Sequence, residues 1–190
     1  MEVAAVGVQA LAESFDGSAL ARAVDAIRAS GAAGGRLHVT GVGKPEHVAR
    51  YAASLFSSTG TPATFLHATE ATHGSLGQVV SGDVVIAISN SGETVELMAT
   101  VDALVARGVT LIGVTGGRDS SLARASDLVL EAGVADEGGP LGLAPRASIA
   151  AEVLVLAALS SQLQEASQLS REQYALLHPA GALGAKARAD

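Results

Sequence analysis

The chain has 190 residues, the size of one domain, and with 48% apolar but only 3% aromatic residues its core has to be built from Ala, Val, Leu and Ile. A net charge of -7 and 12 scattered Lys and Arg residues exclude a basic, nucleic-acid-binding surface. The lack of cysteine excludes disulfides and thiolate metal sites, and a start without the charged-then-apolar form of a signal peptide, with no apolar run near the ~18 residues of a membrane span, points to the cytoplasm and away from a membrane.

Residues 2–30 read as helical, rich in Ala with apolar spacing, broken near Gly17, and 31–35 read as a stop. A short strand is expected at 36–40, then a glycine turn at Gly41-Val42-Gly43-Lys44 and a helix at 48–56 closed by Gly60. Further strands are expected at 63–66, 83–88, 109–114 and 128–130, with helices at 93–107 and 120–125. Residues 147–166 form a long apolar helix, and Glu152 interrupts its apolar centre, so it reads as a core helix rather than a membrane span. Strands alternating with helices over this length imply an α/β fold with a parallel sheet covered on both faces, in a single domain over 1–190.

Ligands of such sheets sit beyond the carboxyl ends of the strands. Three turns fall there: 41–44, 89–94 and 115–118. The Gly41-x-Gly43 pair lacks a third glycine, since position 46 is Glu, and no acidic residue closes the second strand, which argues against a dinucleotide site. The turn Ser89-Asn90-Ser91-Gly92-Glu93-Thr94 is more informative. It follows the buried strand Val84-Val85-Ile86-Ala87-Ile88 and leads into Leu97, Met98, Val101, Leu104 and Val105 at helical spacing. The free N–H groups and positive dipole end of a helix attract an anion, and Ser89, Ser91 and Thr94 add hydroxyl donors without any lysine in the turn. That set suits the phosphate of a small molecule, and a plain helix cap is the competing reading.

These residues are similar to the signature of sugar isomerase (SIS) domains. The nearer resemblance is to arabinose-5-phosphate isomerases, and it is carried by Gly41-Val42-Gly43-Lys44 with His47, by Ser58-Thr59-Gly60-Thr61-Pro62, by the 70–77 segment around His73, by Pro140-Leu141-Gly142-Leu143-Ala144-Pro145 and by His178-Pro179-Ala180-Gly181 through Gly184. The resemblance spans roughly residues 36 to 184. It implies a three-layer αβα sandwich on a five-stranded parallel sheet, and a short form lacking the CBS modules that many members carry. It also implies a homodimer or homotetramer with shared active sites, and interconversion of D-arabinose 5-phosphate and D-ribulose 5-phosphate without a cofactor or metal.

Aldose–ketose isomerisation through a cis-enediol needs a base for a carbon-bound proton, an acid–base group to move protons between oxygens, and positive charge for the enediolate. The resemblance carries these roles to Lys44, Glu96, Glu137 and His178, with His178 supplied by a neighbouring subunit. Lys44 is the electrostatic clamp, His178 the proton shuttle, and either Glu can serve as carbon base. Gly43, Ser89, Asn90, Ser91, Thr94, His73 and Arg146 are the candidate substrate and phosphate contacts. Each has a plainer role: Lys44 as a solvated helix-start lysine, Glu96 as a dipole partner, Glu137 as a loop acid, His178 as a surface histidine. His47, His67, His73 and Glu70 lack the spacing of a known zinc site.

Several positions depart from the family pattern. Pro45-Glu46 replaces Ser-Gly after the lysine, Glu137-Gly138-Gly139-Pro140 replaces acid-Ala-Cys-Pro, Arg146-Ala147-Ser148-Ile149 replaces a Ser/Thr-rich run, and Ala180 replaces Gly. The changes cluster around the expected site and bear on which sugar phosphate is used. Two alternatives stand beside the main expectation: a 6-phospho-3-hexulose isomerase, and a non-catalytic module that senses a phosphosugar.

Overall fold

A computed structural model describes residues 1–189. The elements run α1 (Glu2–Ser14), α2 (Gly17–Ala32), β1 (Leu37–Gly41), α3 (Lys44–Ser58), β2 (Ala63–Phe65), α4 (Ala68–Ala71), a 3₁₀ turn (Ser75–Gln78), β3 (Val84–Ile88), α5 (Val95–Ala106), β4 (Thr110–Thr115), α6 (Ser121–Ala125), β5 (Leu128–Glu131), α7 (Ala147–Ser167), α8 (Arg171–Leu177) and α9 (Ala182–Ala189). All five strands pair in parallel in the order β2-β1-β3-β4-β5. The expected αβα sandwich is therefore observed.

Alternate strand positions feed two cores. Val39, Val84, Ile86, Ile88, Ile112, Val114 and Leu130 pack with residues of α2, α3 and α7. Val85, Ala87 and Leu111 face the other way, toward Leu97, Val101 and Leu104 of α5 and Leu122 of α6. Because both faces are covered, β1 and β3 are buried along their whole length; β3 reads as a continuous apolar run, while β1 carries the buried polar residues His38 and Thr40.

The helix ends differ from expectation for local reasons. The break between α1 and α2 falls at Asp16, whose carboxylate accepts the Ser18 N–H at 2.8 Å as an N-cap, and α2 then continues through Gly31. The third helix begins at Lys44 rather than at position 48. Gly43 turns the chain with a φ of 70°, and Pro45 sits in the first turn, where its missing N–H costs nothing. The fifth begins at Val95 rather than at Glu93. The sequence reading omitted α4, the 3₁₀ turn, α8 and α9, although Ser170 and Gln173 form a capping box at the start of α8 that the spacing announces.

Two further features hold the frame. Buried Asp83 accepts the backbone N–H groups of Arg36 and Val80, each at 2.8 Å, and meets His38 Nε2 at 3.1 Å, while His38 Nδ1 meets Thr64 Oγ1 at 2.9 Å. This chain ties the amino-terminal ends of β1, β2 and β3. The seventh helix, at 21 residues, is long and apolar enough to cross a membrane by length and composition, contrary to expectation. It packs instead on α1, α2 and α3, with Ala151, Val155, Leu156, Leu159 and Leu163 in the core.

Candidate active site

The strand order reverses between β1 and β3, and the turns leaving these two strands flank the crevice where parallel sheets bind ligands. Gly41 pairs with Ile88 across the two strands, so the 42–44 turn and the 89–94 turn leave the sheet side by side. At Gly41 a Cβ would come within 2.9 Å of the Pro45 backbone, so only glycine lets α3 start this close to its strand. Lys44 is exposed at the first position of α3.

The 89–94 turn is internally braced. Ser89 is 3% exposed, and its hydroxyl meets Thr94 Oγ1 at 3.1 Å and accepts the Gly92 N–H at 3.1 Å. Ser91 is exposed and accepts the Glu93 N–H at 3.2 Å. The Asn90 carbonyl accepts from Thr115 Oγ1 and the Gly116 N–H, which docks the turn onto the end of β4. Thr94 occupies the N-cap position of α5, yet its side chain caps none of the helix N–H groups. The plain capping reading is therefore not what the side chains do. Glu93 does not start α5; its carboxylate accepts the Ser121 N–H at 2.8 Å and so closes α6. Glu96 is exposed in the first turn of α5.

The loop after β5 passes the end of β4, where Gly133 lies against Gly116, then runs along α1, where Val134 meets Gly7 and Gly138 meets Val3, before it enters α7. Within it Glu137 Oε2 accepts the backbone N–H groups of Arg146 at 2.7 Å and Ser148 at 3.1 Å, closing the amino end of α7. Burial works to raise this carboxyl, but the donors of Ser148 and the Arg146 N–H outweigh it and hold the group below the ordinary Glu range. Glu137 is ionised at neutral pH. The Arg146 guanidinium folds back on the same loop, 3.3 Å from the carbonyls of Gly138 and Ala144.

His178 lies elsewhere. It follows α8, stacks on Tyr174 at 4.1 Å between centroids, and has Nδ1 2.9 Å from the Tyr174 carbonyl. The preceding Leu177 lines a cavity of about 450 Å³ with Arg36, Leu37 and Ala63, at the amino-terminal ends of β1 and β2. Within one chain His178 is therefore at the opposite end of the sheet from Lys44. His73 is exposed just after α4, on the segment that leaves β2. Among the described residues no group of three or more His, Asp or Glu is placed to hold a metal ion, so His47, His67, His73 and Glu70 are not gathered. Sequence reasoning missed Glu152, which is 0% exposed on α7, and the reason was the assumption that an acid inside an apolar helix only interrupts it.

A profile of the SIS domain matches residues 32–161. The chain belongs to the SIS domain family. An arabinose 5-phosphate isomerase KdsD from Shigella flexneri is 49% identical over 152 residues, which is 80% of this chain and 46% of that protein; the chain thus spans about half the length of such relatives. Among solved structures, Escherichia coli CFT073 c3406 in complex with A5P superposes with a TM-score of 0.88 at 40% identity, covering 94% of this chain and 93% of that one. The Vibrio vulnificus NanR protein complexed with ManNAc-6P superposes with a TM-score of 0.75 at 26% identity, over 88% of this chain and 62% of the other. The matched span includes the Ser-rich turn at the switch point.

Proposed function

We propose that this SIS chain is a sugar-phosphate aldose–ketose isomerase that interconverts D-arabinose 5-phosphate and D-ribulose 5-phosphate through a cis-enediol. The observation that carries the reading is the open amino end of α5 beside Ser89, Ser91 and Thr94. Uncapped helix N–H groups and neutral hydroxyls receive a phosphate dianion without a basic residue in the turn. The likeness to c3406, solved with A5P, and to KdsD supports the choice of sugar.

With phosphate at that end, the reacting carbons extend toward the neighbouring turns. Lys44 supplies positive charge for the enediolate. Glu137 is ionised and so able to accept a carbon-bound proton, with Glu96 as the second acid. His178 moves the proton between the oxygens. Since it lies at the far end of its own sheet, the reading takes it from a neighbouring copy, in a cytoplasmic homodimer or homotetramer with shared sites. Gly43, Asn90, His73 and Arg146 complete the proposed contacts.

The test is purified protein with a panel of pentose and hexose phosphates, products resolved by chromatography. Interconversion of the two pentose phosphates supports the reading; turnover of hexulose 6-phosphate alone makes the protein a different isomerase. A phosphosugar-sensing module is the second reading, favoured by the likeness to NanR solved with ManNAc-6P. It predicts saturable phosphosugar binding with no turnover of any member of the panel.

A further inference from the structure

Glu152 breaks the pattern of its helix. The neighbours Ala151, Val155 and Leu156 are core residues, and Glu152 is as fully buried as they are, with neither carboxyl oxygen in a hydrogen bond. Ser148, one turn earlier on the same face, is also buried, and its backbone N–H donates to Glu137. The two carboxyls therefore sit on successive turns at the amino end of α7, Glu137 above Ser148 and Glu152 below it. A lone buried carboxylate is among the costliest groups a core can hold, and Leu or Met would fill the space without that cost. Such a local violation marks a functional position.

We propose that Glu137 and Glu152 work as an acid pair across the start of α7, one carboxyl charged and the other neutral, with Glu152 as a positioning residue. The inference rests on the isomerase reading only where Glu137 acts as base. The split between the two follows from their surroundings: Glu137 has backbone donors and keeps the charge, while Glu152 has none and keeps the proton. Burial first, and then repulsion by Glu137, push Glu152 up to about 8. When Glu137 takes a carbon proton its charge disappears, and so does that repulsion. Among the described residues nothing else charged faces Glu152. On the helices packed against α7, Glu2 and Glu13 of α1, Arg22, Asp25 and Arg28 of α2, and Lys44, His47 and Arg50 of α3 are exposed, and Glu46 is paired with Arg50. At the end of the sheet Glu131 is paired with Arg118, and Asp136 and Arg146 are exposed on the loop.

The experiment follows the protonated-carboxyl carbonyl band by infrared spectroscopy across pH 5 to 10 in the full chain, in Glu152→Gln and in Glu137→Gln. The expected result is a band at pH 7 that Glu152→Gln lacks, that disappears around pH 8, and whose midpoint moves to lower pH in Glu137→Gln. No band at pH 7, or a midpoint indifferent to Glu137→Gln, overturns the pair. Kinetics form a separate arm: wild-type kcat/KM for the pentose phosphate falls about fivefold between pH 8 and 9 more than in Glu152→Gln, as one additional titration near 8 demands. An alkaline limb identical in the two proteins overturns the coupling to catalysis. A chain that turns over no sugar phosphate overturns the isomerase reading, while the infrared arm still decides the pair.

Discussion

The Glu137 carboxylate accepts the Ser148 backbone N–H at 3.1 Å, so an acid from the loop after β5 closes the amino end of the longest helix. The same bond fixes the position of the proposed base and keeps it charged. Glutamine retains an acceptor for that N–H, so Glu137→Gln is expected to fold normally and bind phosphosugar as the wild type does, yet lose at least about 100-fold in turnover. Because the donors lower this carboxyl, the acidic limb of wild-type kcat/KM is expected below the ordinary Glu value of 4.5. Turnover within tenfold of wild type in Glu137→Gln assigns the carbon base elsewhere.

Phosphate binding should follow the 89–94 turn. Ser91 is exposed beside the open end of α5, and a hydrogen bond to a charged group contributes roughly 1.5–3 kcal/mol. Ser91→Ala is expected to weaken phosphosugar binding by about 1 to 2 kcal/mol by calorimetry. The Ser89→Ala/Ser91→Ala double variant is expected to weaken it further. Unchanged affinity in the double variant moves the phosphate out of this turn.

A shared site has a distinctive signature. Lys44→Ala and His178→Ala are each expected to lose at least about 100-fold in turnover. Co-expressed in equal amounts and paired at random as dimers, they regenerate an intact site in each mixed dimer, roughly a quarter of wild-type activity overall. Recovery indistinguishable from the sum of the two variants alone means that His178 acts within its own chain or not at all.

Arg146 braces the 137–146 loop through the Gly138 and Ala144 carbonyls while its backbone N–H holds Glu137. Arg146→Thr removes the guanidinium and keeps that N–H. The expected outcome is an altered ranking of pentose and hexose phosphates, or a shifted pH profile, with the basic chemistry intact. An unchanged ranking and profile leave Arg146 as a loop brace alone.

Glu152 should make stability depend on pH. Folded, it titrates at about 8; unfolded, near the ordinary 4.5. Between those values the folded chain holds a proton that the unfolded chain releases, so stability falls as pH rises through this window, by roughly 3 kcal/mol at pH 7. Glu152→Met is therefore expected to raise the urea midpoint, by more at pH 8 than at pH 5. An equal gain at both values means that packing, not ionisation, accounts for it.

The strands and the Ser-rich turn were legible in the sequence because both are local: a strand buried on both faces is a continuous apolar run, and a turn needs its Gly and Ser at fixed offsets. The same locality placed Lys44 after a glycine turn and Ser89 at the end of β3. What the sequence left open depended on partners distant along the chain. Glu93 precedes a helical pattern, yet its carboxylate is taken by Ser121, 28 residues on. Ser and Thr before a helix look like caps, and only the packed turn turns Thr94 toward Ser89 instead of the helix N–H groups.

By itself, then, the chain determined its layers, its parallel sheet and the chemistry available at three turns, since periodicity and turn residues act over a few positions. The tertiary structure alone decided which acids are buried or held by backbone donors and where His178 lies. Packing α7 on α1, α2 and α3 buries Glu152 without a partner, and the return of the chain from β5 brings Glu137 onto the amino end of α7. The docking of α8 near the opposite end of the sheet carries His178 away from Lys44. Charge, burial and distance at a side chain are set by groups remote in sequence, and those are fixed only when the helices close over the sheet.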